Sequence, residues 1–97
     1  MELEKVKLYL RVDWDAEDAL ILDMMGIAKE YIVSAVGEFD EKDPTARLLL
    51  MAMVQDMYDN RELMQSDIQQ KKSFQYPYRS IILQLQMKHE LKAGGNG

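Results

Sequence analysis

Four acidic side chains lie within six residues near the start of the chain, at Asp13, Asp15, Glu17 and Asp18. Carboxylates at alternate positions are typical of a calcium-binding loop. The run lacks the glycine that the sharp turn of such a loop requires, and its twelfth position, where a glutamate is expected, is Met24. The spacing instead predicts helix capping, with Asp13 or Asp15 as the cap and two acids in the first helical turn.

The other residues with potential for chemistry are the acids Asp40, Glu41 and Asp43 and the single histidine, His89. Paired-carboxylate hydrolases hold their acids at a fixed separation in a pocket, whereas these acids lie in a polar connection. His89 lies near the end of a predicted helix, where a histidine commonly stabilises the negative helix end. The chain has no cysteine and no phosphate-binding glycine loop. The sequence therefore predicts no catalytic residue, no metal ligand and no cofactor.

Residues 71–79 form the one stretch rich in both cations and aromatic residues, including Lys71, Lys72, Phe74 and Tyr76. Basic residues beside aromatic ones occur in sites for single-stranded nucleic acid. However, the net charge of the chain is −5 and its isoelectric point is near 4.8, whereas nucleic-acid binding needs clustered cations. The stretch is therefore interpreted as an assembly loop.

Apolar residues at helical spacing predict the elements that carry these groups. A short helix is predicted from Glu2 to about Leu10, and a long second helix ends at Val36, before the stop signal Gly37. The inward face of the second helix is predicted to hold Leu20, Ile21, Met24, Ile27, Ala28, Tyr31, Ile32 and Ala35. Trp14, in the turn between the two helices, is either a staple between them or an exposed docking anchor.

Asp43 and Pro44 form a helix-start signal, because a capping aspartate is followed by proline at the first helical position. The third helix is predicted to run from there to about Met64, and a polar loop follows over residues 65–75. A last helix is predicted to begin at Pro77. Its inward face holds Tyr78, Ile81, Ile82, Leu85 and His89.

These elements predict an all-α fold: a small four-helix domain with a central antiparallel helix pair. The domain is predicted over residues 1–92, and residues 93–97 are predicted to form a flexible C-terminal tail. The chain has no run of about 18 apolar residues that could form a transmembrane helix, and its N-terminus lacks the pattern of a signal peptide. The sequence therefore predicts an intracellular or particle-bound protein.

The third helix carries a nearly continuous apolar run, residues 48–54, followed by a polar segment with Tyr58, Asn60 and Arg61. A helix that is apolar on nearly every side needs cover from its own domain or from a neighbouring chain. Because a small bundle needs less apolar surface than this, the sequence predicts subunit contacts. The candidate interface residues are Leu50, Met51, Tyr58, Asn60, Arg61, Lys71, Lys72, Phe74 and Tyr76.

Four segments along the chain form a recognisable series: residues 8–18 (LYLRVDWDAED), residues 27–32 (IAKEYI), residues 57–62 (MYDNRE) and the closing helix that begins at Pro77. In order and spacing they are similar to the tailed-phage head–tail connector family, from about residue 3 to residue 85. The sequence departs from the family after the closing leucines, where the family commonly has an arginine. The only cation near that place is Lys88.

The resemblance implies a small all-helical structural subunit that performs no chemistry. It implies a ring of about a dozen copies, a homo-oligomer that joins the portal protein of the head to a tail-side neck protein. DNA passes through the channel of such a ring without specific binding, and a role in DNA packaging is implied. The expected location is the virion neck of a phage or prophage, with assembly in the host cytoplasm.

A small acidic helical regulator that binds another protein is the alternative function. An acidic bundle can occlude a nucleic-acid-binding surface by mimicking phosphate charge. This alternative predicts a monomer or dimer with its acids clustered on one face. In the sequence the acids are instead spread over residues 13–18, 38–43 and 56–62.

Overall fold

The structure, a computed structural model, describes residues 2–60 and 75–94, and all regular secondary structure in these two ranges is helical. The helices are α1 (Leu3–Leu10), α2 (Asp18–Val36), α3 (Pro44–Asp59) and α4 (Gln75–Gly94). This confirms the predicted all-α fold, with a short first helix and long second and third helices.

The helices α2, α3 and α4 pack against one another, and α1 packs on both α2 and α3. Glu17, just before α2, bonds to Tyr58 near the end of α3, so α2 and α3 form the predicted antiparallel pair. Lys88 of α4 lies beside Asp43 at the start of α3, so α4 is antiparallel to α3. The largest fully buried side chains are Val6, Ile21, Ile32, Leu49, Leu50, Met53, Val54 and Met57.

The ends of α2 and α3 follow the predicted signals. Gly37 has a φ of 108° and its N–H donates a 2.8 Å hydrogen bond to the carbonyl of Val33, which closes the last turn of α2. The Asp43 carboxylate accepts a 2.9 Å hydrogen bond from the N–H of Thr45, and Pro44 is the first residue of α3. Both helix-boundary predictions are confirmed.

Other boundaries differ from the predictions. The helix α2 begins at Asp18, and Glu17 at its N-terminus makes no side-chain capping bond, so the prediction that Asp13 or Asp15 caps α2 is wrong. The helix α4 begins at Gln75, two residues before the predicted start, because a proline is tolerated in the first turn of a helix. It also runs past residue 92 to Gly94. The predicted helical residues 61–64 and most of the predicted loop lie outside the described residues.

The apolar run on α3 is covered mainly by the subunit itself. Leu49, Leu50, Met53 and Val54 are at most 1% exposed, whereas Leu48 is 50% exposed. The helix α3 contacts α1, α2 and α4, so most of its apolar sides pack against another helix of the same subunit. The surplus of apolar surface inferred from the sequence is therefore much smaller in the folded subunit.

Candidate assembly site

Glu17 links the start of α2 to the end of α3. The Tyr58 hydroxyl donates a hydrogen bond of 2.5 Å to Glu17 Oε1, and Trp14 Nε1 donates one of 3.2 Å to the same oxygen. Tyr58 is 9% exposed, whereas Trp14 is 49% exposed. Since two donors converge on one carboxylate, Glu17 fixes the turn before α2 against the far end of α3.

Lys7 is a buried cation on α1, with a side chain that is 6% exposed. Its Nζ lies 2.8 Å from Asp18 Oδ1 and 3.0 Å from Asp15 Oδ1. The hydrogen bond to Asp18, followed by the one to Asp15, raises the pKa of Lys7 above its ordinary value. Burial by itself disfavours a charged lysine, so the two carboxylates stabilise the ammonium group between α1 and α2.

The turn between α1 and α2 explains how Asp15 and Asp18 reach Lys7. Arg11 adopts a left-handed conformation with a φ of 62°. The N–H of Arg11 donates to the carbonyl of Leu8, and the N–H of Val12 donates to the carbonyl of Lys7 at 2.9 Å. This pair of bonds is the Schellman ending of a helix. It reverses the chain and buries Val12, so residues 8–18 fold α1 back onto α2.

Three of the four acids of residues 13–18 therefore serve the fold of the subunit. Asp15 and Asp18 hold Lys7, and Glu17 holds Tyr58 and Trp14, which is why these acids are not available for capping α2. In the described ranges, no three His, Asp or Glu side chains are grouped so as to hold a metal ion. No helix in those ranges is long and apolar enough to span a membrane.

A second polar network joins the C-terminal half of α4 to the connection between α2 and α3. Lys92 Nζ lies 3.0 Å from Asp40 Oδ2 and 3.2 Å from Glu38 Oε2, and His89 Nδ1 lies 3.0 Å from the same Glu38 oxygen. His89, followed by Lys92, lowers the pKa of Glu38. Lys92 also lowers the pKa of Asp40. These contacts hold the end of α4 against the rest of the bundle.

His89 also packs closely on the backbone of Gly37. A Cβ atom at Gly37 would lie 2.6 Å from His89 Nε2. The positive φ of Gly37 favours glycine at the end of α2, and an added Cβ atom there would also force the His89 ring to shift. His89 thus contacts Glu38 and Gly37 after α2, five residues before the end of α4, and its predicted stabilisation of the helix end stays a prediction.

Lys88 contributes a further ion pair at the same end of the bundle. Its Nζ lies 3.2 Å from Asp43 Oδ2. Although burial raises the pKa of Asp43, the N–H of Thr45 and the Lys88 ammonium outweigh it and leave that pKa below its ordinary value. Three acids of residues 38–43 are thus paired with cations of α4, which disfavours the phosphate mimic.

The structure places the predicted interface residues in different environments. Leu50 is 1% exposed in the core, and Tyr58 is bonded to Glu17. Met51 is half-buried on α3, and Asn60 is exposed at the end of α3, where its Nδ2 donates to the carbonyl of Asp56. Contact of these four with a neighbouring chain stays a prediction. Arg61, Lys71, Lys72, Phe74 and the Tyr76 side chain lie outside the described part of the chain.

Two stabilising contacts of this site were missed by sequence reasoning. The first is Lys7, which lies between Val6 and Leu10 on the apolar side of α1. A lysine on an apolar helix face, with acids a few residues later, was a signal for a buried ion pair. The second is the pairing of Glu17 with Tyr58, 41 residues away, for which a single sequence gives no local signal.

Two of the four segments in the recognisable series are thus in direct contact, through Glu17 and Tyr58. A comparison with family models agrees with that series: the model described as phage gp6-like head-tail connector protein matches residues 1–86. No curated protein and no solved structure matches the chain.

Proposed function

We propose that this chain, which belongs to the phage gp6-like head–tail connector family, is a structural subunit of a ring in the neck of a phage or prophage particle. In that ring the subunits join the portal protein of the head to a tail-side neck protein. The observation that carries the proposal is the family match, which covers residues 1–86 of the 97-residue chain. The subunit acts by holding its neighbours, with no catalytic step and no cofactor.

Polar contacts join the helices at both ends of the described bundle, which suits such a role. The network around Glu17 and Tyr58 fixes one end of the bundle, and the network around Glu38 and Lys92 fixes the other. Interfaces between preformed subunits lose less conformational freedom on association than interfaces that must fold first. Repeated copies of one preformed subunit are therefore suited to closing a ring.

The charge of the chain suits a channel for DNA. The net charge is −5, and like charge between a channel and phosphate groups opposes tight contacts. DNA can then slide through the ring during packaging and ejection without being held. Particle assembly in the host cytoplasm precedes that step.

We further propose that neighbouring neck components contact the region after α3. Met51 and Asn60 lie on or at the end of α3, and Arg61, Lys71, Lys72, Phe74 and Tyr76 follow along the chain. The set includes Met51, Arg61, Phe74 and Tyr76, and methionine, arginine and aromatic residues are enriched in protein interfaces. Leu50 packs in the core and Tyr58 is bonded to Glu17. Both residues hold α3 in place and so support the same contact indirectly.

The test is the mass of the purified chain in solution, measured by light scattering over a wide concentration range, with and without portal protein. We expect a species of about a dozen 11.3 kDa subunits, either alone or bound to portal. A chain that stays monomeric or dimeric and ignores portal contradicts the proposal and supports the regulator. Heads assembled without this chain are expected to lack tails, as seen by electron microscopy.

A further inference from the structure

The two parts of α4 are attached to the bundle in different ways. In the first part, Ile82 and Leu85 are 7% and 5% exposed and belong to the hydrophobic core. After Leu85, none of residues 86–93 is buried, and Met87 and Leu91 are 63% and 72% exposed. The apolar core thus ends at Leu85. The part of α4 beyond it, residues 86–94, is named the C-terminal strap.

Polar contacts hold the C-terminal strap against the end of α2 and the start of α3. Gln86 Nε2 donates a 2.8 Å hydrogen bond to the carbonyl of Ala35, in the last turn of α2. Lys88 and Lys92 pair with the acids of residues 38–43, and His89 lies beside one of these acids and packs on the backbone after α2. The strap therefore depends mainly on charge, whereas the first part of α4 depends on apolar burial.

The ion pairs of the C-terminal strap are open to solvent. The Lys88 and Lys92 side chains are 51% and 53% exposed, and exposed ion pairs are individually weak and are screened by salt. A cavity of about 10 Å³ lies beneath the strap, lined by these two lysines on one side and by Val36 and Asp43 on the other. A space of this size fits about one water molecule. The underside of the strap is therefore not closely packed, and its attachment is weaker than that of the part of α4 that faces the core.

We propose that the C-terminal strap is a releasable segment, which leaves the bundle when its ion pairs are screened while the rest of α4 stays in place. A short helical segment without tertiary contacts is marginally stable in water, so the released strap unwinds. Release leaves Glu38, Asp40 and Asp43 without their partners on α4. The strap thereby controls whether these three carboxylates are covered.

The strap is separate from the part of the chain that carries the family assignment. The family match ends at residue 86, which is the first residue of the strap. The apolar residues of α4 that lie in the core, Ile82 and Leu85, belong to the matched part. Release is therefore expected to leave the matched residues folded, and it does not depend on whether the chain forms a ring.

The test is amide hydrogen exchange of the full chain, followed residue by residue by NMR at constant pH. Exchange is compared at about 20 mM and about 1 M sodium chloride, since the higher concentration shortens the screening length to about 3 Å. The amides of residues 89–93 are expected to exchange at least about threefold faster at the higher concentration, because the ion pairs that oppose opening are weakened. The amides of α2 and α3 are expected to keep their rates.

Two variants of the strap separate release from ordinary fraying of a helix end. Lys92→Met removes the contacts with both Glu38 and Asp40, so its strap amides are expected to exchange at least about threefold faster at the lower salt concentration and to respond less to salt. Glu90→Gln, at an exposed residue of the strap, leaves the ion pairs described above in place. It is the matched control and is expected to keep the rates of the wild type.

Three results would overturn the strap. The first is exchange of residues 89–93 that is equal at both salt concentrations. The second is equal exchange in Lys92→Met and Glu90→Gln, which would mean that the ion pairs do not hold this segment. The third is a parallel increase with salt in the amides of α2 and α3, because the ion pairs would then support the whole bundle rather than one segment.

Discussion

The Tyr58 hydroxyl donates a 2.5 Å hydrogen bond to Glu17 Oε1, across the antiparallel pair formed by α2 and α3. The two residues are 41 positions apart in the chain, and each belongs to a segment that resembles the connector family. The bond connects these segments inside one subunit. It explains why a short acidic turn and a tyrosine near a helix end occur together in this fold.

Removing that hydroxyl tests the strength of this connection. Tyr58→Phe is expected to lower the free energy of unfolding by about 0.5–1.5 kcal/mol, the usual contribution of a hydrogen bond. Tyr9→Phe, at a residue that is 36% exposed, is the matched control and should change it by less than about 0.5 kcal/mol. Urea titrations of both variants measure the difference. Equal effects of the two substitutions would show that the Glu17 contact adds nothing to folding.

The buried cation Lys7 gives a prediction of a different kind. Lys7→Met keeps the length of the side chain but leaves Asp18 without its 2.8 Å partner, so the unfolding temperature is expected to fall. Adding Asp18→Asn is expected to recover part of the loss, because a buried ion pair replaced at both ends is often tolerated. Thermal unfolding followed by circular dichroism measures both. An unfolding temperature of Lys7→Met equal to that of the exposed control Lys5→Met contradicts this role.

The acids at the other end of the bundle predict how stability depends on pH. The folded chain lowers the pKa values of Glu38, Asp40 and Asp43. A carboxyl with a lower pKa in the folded state binds fewer protons there than in the unfolded state, so stability rises with pH. This contribution is complete above the ordinary value of 4.5 for Glu38 and is lost as the pH falls through the lowered values.

The measurement is the unfolding temperature between pH 6 and pH 3, which is expected to decrease below about pH 4.5. Lys92→Met removes the partner of Asp40 and one of the two partners of Glu38, which keeps His89, and is expected to make this decrease shallower. Lys5→Met, an exposed lysine on α1, is expected to keep the slope of the wild type. Parallel curves for both variants would exclude Lys92 as the source of the pH dependence.

The signals that sequence analysis read correctly are local ones. Asp43 with Pro44 specifies the start of α3, and Gly37 specifies the end of α2, because each acts on backbone groups of its own helix. The wrong prediction, capping of α2 by Asp13 or Asp15, failed because α2 begins later, at Asp18. Asp15 lies instead 3.0 Å from Lys7 Nζ of the preceding helix, a contact that the capping signal does not reveal.

The surplus of apolar surface on α3 was misjudged for a similar reason. Sequence periodicity shows that a helix is apolar on many sides, but it does not show how many neighbours the helix has. In the fold α3 meets three helices, so its apolar residues are mostly internal. The exposed apolar residues of α2 and α4 could be identified only once the buried faces were known.

The assignment of Leu50 to the core is testable with an adjacent pair of leucines. Leu50 is 1% exposed and Leu48 is 50% exposed. Leu50→Ala is expected to lower the free energy of unfolding by about 2–5 kcal/mol, because it leaves a cavity in the core. Leu48→Ala is expected to cost much less, since its side chain is already half in water. Urea unfolding measures the free energy of unfolding of both variants. Similar losses for the two would contradict the burial of Leu50 in the core of its own subunit.

The two internal glycines of the first half of the chain are predicted to respond in opposite directions to the same substitution. Gly26→Ala adds a methyl group to open space inside a helix and is expected to raise the free energy of unfolding by about 0.8–1 kcal/mol. Gly37→Ala forces a side chain into a left-handed conformation, which costs about 1–2 kcal/mol, and places its Cβ atom 2.6 Å from His89 Nε2. It is therefore expected to lower the free energy by more than that amount.

Urea unfolding of the Gly26→Ala and Gly37→Ala variants at low protein concentration compares their free energies of unfolding without contacts between subunits. A loss of stability in Gly26→Ala would contradict the open space found at that position. A gain in Gly37→Ala would contradict the strain expected from its positive φ.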